Sequence, residues 1–362
     1  MTRVPSTPAL ARLRSQFPSP LDRRIILHRG TCGDNAGAEA VRDDLVTSID
    51  DALIEGALID GTCDGSCWAA PAATVQRAGH QHRFTHLDRG VPEELARCFA
   101  GDCDDEYAGR GEYGLLERLG RQDGTFEDAV ARGAYAAFAH TCASGARRAL
   151  DAVENSSYPA RYGALPEGGT LTVAAQQDSP AAFTDRHLLE GDPHRVLEGI
   201  LTAALVTGAT DARLHLGGQP ASARAAFEEA LRQAEAHGLL DGSALGGPAL
   251  TLEVTDIPPE GDAIGIDAVS ALTTVFDQPP PPTRLVALSG AVPRPGLYEV
   301  PVGGATTWTG ILAMAGATPG LVPGLRIGAA GDLVARDAFE EIVTPSALAD
   351  GTVVVLARDA EV

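Results

Sequence analysis

Lysine is absent from the 362 residues, so all 28 basic side chains are arginine. This rules out a lysine Schiff base and the phosphate-gripping lysine of a P-loop. Basic residues are also outnumbered, 28 against 49 acidic ones, for a net charge of −21. A surface of that sign repels phosphate backbones and anionic headgroups, so nucleic acid is not an expected partner. Long apolar runs are lacking too. The longest, such as "GTVVVLA" at 351–357, falls far short of the roughly 18 to 20 residues of a spanning helix, so direct membrane insertion is not expected. The N-terminal stretch holds arginines and prolines but no apolar block of secretory type, which makes residues 1–23 a flexible or docking arm and the cytoplasm the default compartment. Cysteine is scarce, six in all. In a reducing compartment, closely spaced cysteines point to metal or redox chemistry rather than to disulfide staples.

What is present is an ordinary globular composition, 44% apolar and 21% charged, in a chain long enough for two or three cores. "RIILH" reads as a buried strand over 25–28 that enters a turn at Gly30–Gly33, and Ala38, Val41, Leu45 and Ile49 then follow at helical spacing. Two further strands, a hairpin turn at Ala78 and Gly79, and a helix opened by Pro92 complete a β-α-β-β-α order over 24–101. Residues 107–156 are alanine-rich and helical in pattern. Strands and helices then alternate to about 276, with helices closed near Gly208 and Gly238, which implies an α/β layer structure. "DQPPPPT", 277–283, is a stiff polyproline linker. Beyond it, 284–362 reads as a compact β-rich module with a Pro/Gly hairpin, a short helix and a closing strand.

The chemistry concentrates in "GTCDGSC", Gly61 to Cys67, where Gly65 lets a C-x-x-x-C loop curl so that both sulfurs face inward. A metal site needs four ligands. Cys32, in the turn of the same sandwich, is expected near Cys63 and Cys67. His28 is the expected fourth donor, because a neutral imidazole can replace a thiolate on a cluster iron; Asp34 and Asp64 are weaker alternatives. Three thiols without metal remain the bland alternative. Cys98 and Cys103 are expected at a solvated helix end, and Cys142 as a small core residue. His80, His82 and His86 would share one face of a regular strand, although a solvated hairpin explains them more simply.

"RIILHRGTCGDNAGAEAV" followed by "GTCDGSCWAAP" resembles the thioredoxin-like iron–sulfur module carried by NADH-binding flavoprotein subunits of complex I-type enzymes, including soluble NAD-linked hydrogenases and formate dehydrogenases. "FTDRHLLEGDPHRVLEGILTAALVTGA", 183–209, is similar to the segment that follows that family's flavin-binding loop, and "SGAVPRPGLYEVPVG", 289–303, to the opening of its soluble-ligand-binding (SLBB) β-grasp module. The resemblance implies a multidomain α/β and α+β fold: a thioredoxin-like domain over 24–106, a flavoprotein-like core over 107–276 and a β-grasp module over 284–362.

The sequence departs from the family where nucleotide is held. The "GRGGxGFP" loop, whose glycines let backbone amides approach the FMN phosphate, is replaced by "ARGAYAAFAH", 131–140. Tyr135 and the alanines place Cβ atoms where that approach was needed. Of the acidic "NADESEPGTFK" run only Asp178, Pro180 and Phe183 are reminiscent, and "GEETAL" becomes "GIDAVSAL", 265–272. No cysteine follows Cys142, so the family's C-terminal four-cysteine cluster has no counterpart here. The resemblance then implies an electron-transfer or assembly subunit of an NADH dehydrogenase-like oxidoreductase complex, holding one [2Fe-2S] centre on Cys32, Cys63, Cys67 and His28, with the FMN and NAD site degenerate and other subunits as partners. An active FMN-dependent NADH:acceptor oxidoreductase and a metal-free structural paralogue are the alternatives. In the scaffold reading, Asp185, Arg186, Asp192 and His194 organise the interface, against an ordinary helix start with Pro193 near N1.

Overall fold

The computed structural model describes residues 6–17, 23–48, 57–77, 80–88, 93–101, 114–166, 168–175, 181–277 and 282–358. Near the N-terminus, α1 (Pro8–Arg14) is capped by the Thr7 hydroxyl, which accepts from the Leu10 amide, and buries Leu10 and Leu13 in the main core. The segment read as a flexible arm is therefore, over this stretch, a docked helix. Its leucines sit three apart on one face, and burying them outweighs the cost of ordering a short helix.

The first sheet contains β1 (Arg23–His28), β2 (Leu58–Gly61), β3 (Ala73–Arg77) and β4 (His80–Phe84) in the order β2-β1-β3-β4. β1 and β2 are parallel, and β3 is antiparallel to both of its neighbours. Helices α2 (Thr31–Asn35) and α3 (Ala38–Ser48) connect β1 to β2, and α4 (Glu93–Ala100) follows β4. The expected β-α-β-β-α order is present, but the turn expected at Gly30–Gly33 contains the start of α2, so Cys32 is helical. The period of two along β1 sends Ile25 and Leu27 to a core shared with Leu45, Leu95 and Phe99. The intervening Arg24, Ile26 and His28 lie on the opposite face, where Arg24 reaches Asp128 of the next body at 3.1 Å.

That body has helices α5 (Phe126–Ala131), α6 (Ala136–Ser144), α7 (Ala146–Glu154) and α8 (Tyr158–Tyr162) leading into β5 (Leu171–Ala174). α9 (Thr184–Gly191), α10 (Pro193–Thr207), β6 (Asp211–His215), α11 (Ala221–Ala236), β7 (Thr251–Thr255), β8 (Ile264–Gly265) and α12 (Ile266–Leu272) follow. The sheet is parallel throughout, ordered β7-β6-β5-β8. α10 is buried along nearly its whole length, as expected for a helix packed between α6 and α12. Gly199 permits the closest approach: a Cβ there would stand 2.1 Å from the Val269 carbonyl oxygen.

The last sheet holds β9 (Thr283–Gly290), β10 (Gly296–Pro301), β11 (Gly324–Ile327), β12 (Asp332–Ala335) and β13 (Thr352–Val355), with α13 (Trp308–Met314) packed on it. Its order is β10-β9-β13-β11-β12, and only the β9/β13 pair is parallel. Most of the polyproline segment, and the turn at Ala78 and Gly79, lie outside the described residues. Among the described residues, no helix is long and apolar enough to cross a membrane.

Candidate metal centre

Cys32 lies on α2, while Cys63 and Cys67 lie in the loop that leaves β2. Gly65, at φ +73°, bends that loop and donates its amide to Cys63 Sγ at 3.4 Å. The loop is fixed on two sides: Asp64 accepts from the Ser66 amide at 2.8 Å, and the Gly65 carbonyl accepts from the Leu297 amide of β10 at 2.9 Å.

The fourth group at these sulfurs comes from the parallel-sheet body. His187 of α9 is fully buried, with Nδ1 lying 3.1 Å from Cys63 Sγ and Nε2 3.2 Å from Cys67 Sγ. Ligand atoms of Cys32, Cys67 and His187 fall within 4.8 Å of one another, as do those of Cys63, His187 and Glu190. Arg186 donates to Cys32 Sγ at 3.7 Å. Glu190 is engaged on its other side, accepting from the Thr31 amide at 3.1 Å, the Thr31 hydroxyl and the Ser222 hydroxyl at 2.7 Å. The meeting of the two bodies depends on Gly191, where a Cβ would stand 2.7 Å from the Cys63 carbonyl oxygen and 2.9 Å from Leu119 Cγ.

The three thiols are electrostatically unequal. A hydrogen bond from Cys67 draws Cys32 down to about 7 against the effect of burial, with Arg186 assisting. The same bond, together with burial, pushes Cys67 up. Burial, reinforced by Asp64 and Glu190, holds Cys63 well above the ordinary thiol range. Three soft thiols and an imidazole are the donor types that bind zinc or an iron–sulfur cluster.

His28 is not brought to the sulfurs as a donor. Its Nδ1 stands 3.0 Å from Asp64 Oδ2 and its Nε2 2.9 Å from Thr74 Oγ1, so both ring nitrogens face other groups. Asp64 is spent on His28, Arg83 and the Ser66 amide. Asp34 is paired with Arg29 at 2.6 Å on the outside. Cys98 is buried beside Leu95 and Phe99 and is disulfide-bonded, not at a solvated helix end; Cys103 lies outside the described residues. Cys142 is half-buried, its thiol pushed up to about 11 by burial. The three hairpin histidines form no metal group among the described residues. The His82 ring lies tilted against Phe84, whereas His86, past the end of β4 and at φ +54°, packs near Trp68.

At the loop corresponding to a flavin cradle, Tyr135 takes φ +64° just before α6, a conformation uncommon for any residue with a side chain. Its ring is fully buried and its hydroxyl lies 2.7 Å from His194 Nδ1. The Ala137 amide, which would face an incoming phosphate, donates to the Glu198 carboxylate at 2.8 Å. The Glu198 carboxylate holds that amide and the Tyr135 ring turns into the core, while a cavity of about 360 Å³ lined by Gly133, Ala136, Ala137, Arg118, Arg195 and Glu198 opens beside them. Asp178 and Pro180 lie outside the described residues. Phe183 is ordered, its ring 5.3 Å from that of His187 and edge-on to it.

His187 was missed because it lies more than a hundred residues from the cysteines, inside "DRHLLEGDPHR", which reads as scaffold. The available signal was a histidine directly preceding two leucines in a short helix.

No family profile matches the chain. Among curated proteins, an NADH-quinone oxidoreductase subunit of Rhizobium meliloti is 28% identical over 182 residues, covering 37% of this chain and 43% of the relative. The corresponding NADH-quinone oxidoreductase subunit of Aquifex aeolicus is 28% identical over 110 residues, covering 27% of this chain and 26% of the relative. The mitochondrial NADH-ubiquinone oxidoreductase 51 kDa subunit of Neurospora crassa is 33% identical over 76 residues, covering 21% and 15%. The chain thus spans less than half the length of these relatives. Among solved structures, an NAD+-reducing [NiFe]-hydrogenase in the air-oxidized state aligns over 96% of this chain and 72% of its own, at 18% identity and a TM-score of 0.51, a likeness of fold.

Proposed function

We propose that this chain, a divergent and partial member of the family of NADH-binding flavoprotein subunits, is an electron-transfer or assembly subunit of an NADH dehydrogenase-like oxidoreductase complex. It carries one [2Fe-2S] centre and no working flavin site. The observation that carries this reading is that free Cys32 and Cys67 form one donor group with His187 and free Cys63 a second with His187 and Glu190, the two groups meeting at that imidazole. The donor set fits such a centre, since all three sulfurs are free and soft, with Cys63 buried and Cys32 and Cys67 half-buried. Bound there, the centre would accept and return a single electron. The chain's own residues position and shield it: the Asp64 turn shapes the loop, Arg186 places positive charge beside Cys32, and Leu119 and Phe183 close the apolar side.

The domain reading draws support from topology. A β2-β1-β3-β4 sheet with β3 antiparallel supports a thioredoxin-like domain over 24–106, and β10-β9-β13-β11-β12 with a parallel β9/β13 pair supports a β-grasp module over 284–362. Loss of nucleotide binding is supported by Glu198 and Tyr135 at the former cradle. A cytoplasmic subunit docked to other oxidoreductase subunits follows from the same reading.

Protein purified without oxygen and assayed for iron, acid-labile sulfide and flavin tests it. Iron and sulfide in equal amounts, visible absorption bleached by dithionite and no stoichiometric flavin are expected. Bound FMN with NADH:ferricyanide turnover would favour the oxidoreductase alternative, and iron-free protein the metal-free one; either overturns the reading.

A further inference from the structure

We propose that His187 is the fourth donor of this centre, so that the metal is held jointly by the N-terminal sheet body and the parallel-sheet body. The inference rests on the reading above and adds the identity of the ligand and the location of the centre at a seam. All three thiols belong to the first body, and the other donors expected there, among its described residues, are engaged elsewhere. His28 faces Asp64 and Thr74, Asp64 faces Arg83, and Asp34 is paired outside.

His187 comes from the other body, with Nδ1 3.1 Å from Cys63 Sγ and Nε2 3.2 Å from Cys67 Sγ, so each ring nitrogen faces one sulfur and the nitrogen that ligates shares its ion with the cysteine on its own side. With metal–nitrogen bonds near 2.0 Å and metal–sulfur bonds near 2.3 Å, a tetrahedral ion sets its nitrogen and sulfur donors roughly 3.5 Å apart. The imidazole already lies within a few tenths of an ångström of that separation. Sulfur is a weak hydrogen-bond partner for an imidazole, whereas the two groups are strong ligands for the same soft metals. Packing them together in a buried site therefore makes better chemical sense around a metal than around a thiol hydrogen bond.

The approach of α9 is also built in. Gly191 lets the helix end pass the Cys63 carbonyl, Asp192 locks the start of α10 by accepting from Arg118 and Arg195 at 2.8 and 3.0 Å, and Phe183 sets the ring edge-on. Glu190 does not compete, since Thr31 and Ser222 hold its carboxylate and it is the harder donor.

Pulsed electron paramagnetic resonance of the dithionite-reduced full chain tests this. The expected result is strong nitrogen hyperfine coupling from a directly bound imidazole. His187→Cys should retain iron and sulfide, lose that coupling and titrate at a lower midpoint potential, because imidazole ligation raises cluster potentials. His28→Gln should keep the coupling. A reduced centre without bound-imidazole coupling, a His187→Cys protein that retains it, or a His28→Gln protein that loses it overturns the inference while leaving the cluster reading intact. Wild-type protein with no iron–sulfur signal overturns both.

Discussion

Asp192 is a fully buried carboxylate with several partners. It caps α10 by accepting from the Arg195 amide at 3.2 Å and, fully buried, accepts from the Arg118 and Arg195 guanidinium groups. Burial alone would raise its pKa, but the two arginines hold it below the ordinary range. Asp192→Ala leaves Arg118 and Arg195 buried without their shared partner, and should cost about 3–5 kcal/mol. Urea unfolding would check this, with Asp192→Asn expected to cost less. His194, two residues on, is kept neutral. Burial pushes it down to about 4, outweighing the pull of Asp192, and its neighbours fix the tautomer: Nε2–H donates to Gln233 and Nδ1 accepts from Tyr135. An unfolded imidazole titrates near 6.5. Between these two values the unfolded chain binds a proton that the native chain refuses, so stability is full above about 6.5 and falls as pH drops toward 4, by at most about 1.4 kcal/mol per pH unit. Melting temperatures across that window should fall less steeply for His194→Gln than for wild type; an unchanged slope would contradict the assignment. At this scale the cysteine loop was legible from its spacing. The imidazole was not, because local sequence favoured His28, and the charge on Asp64 that ties His28 down is visible only in three dimensions.

Elements were legible where periodicity was strong and buried on one face. β1, α10 with its left-handed Gly208 cap, α11 and the β9/β10 hairpin all fall where apolar spacing put them. The short elements were not. α9 spans only 184–191, and six of its residues are buried regardless of polarity, so no amphipathic stripe announces it. The β11/β12 hairpin is edge structure with exposed positions and little apolar signal. α1 was not legible as a helix because prolines and arginines surround its two leucines, although a docking arm was one of the two readings. Those leucines yield a direct test. Leu10 is 0% exposed in the main core, so Leu10→Ala should cost about 2–5 kcal/mol, measured by chemical denaturation. A negligible change would return this segment to the status of a detachable arm.

At the scale of the whole molecule, the three sheets meet around the cysteine loop. The first supplies the thiols and the second His187, while the third anchors the loop through Leu297 and the adjoining turn through Glu299, which accepts from the Leu115 and Leu116 amides at 3.0 and 3.2 Å. Glu198 accepts from the Ala137 amide at the start of α6, and the Tyr135 hydroxyl meets His194. The family's departures were legible residue by residue, but the carboxylate that takes up the Ala137 amide comes from α10, a segment that itself resembles the family closely. The central claim is that the family's framework persists while its grip on flavin is gone. A titration of free FMN with the full chain, followed by flavin fluorescence, tests it most directly. The account predicts fluorescence that stays unchanged as protein is added; saturable quenching that reaches one flavin per chain would contradict it.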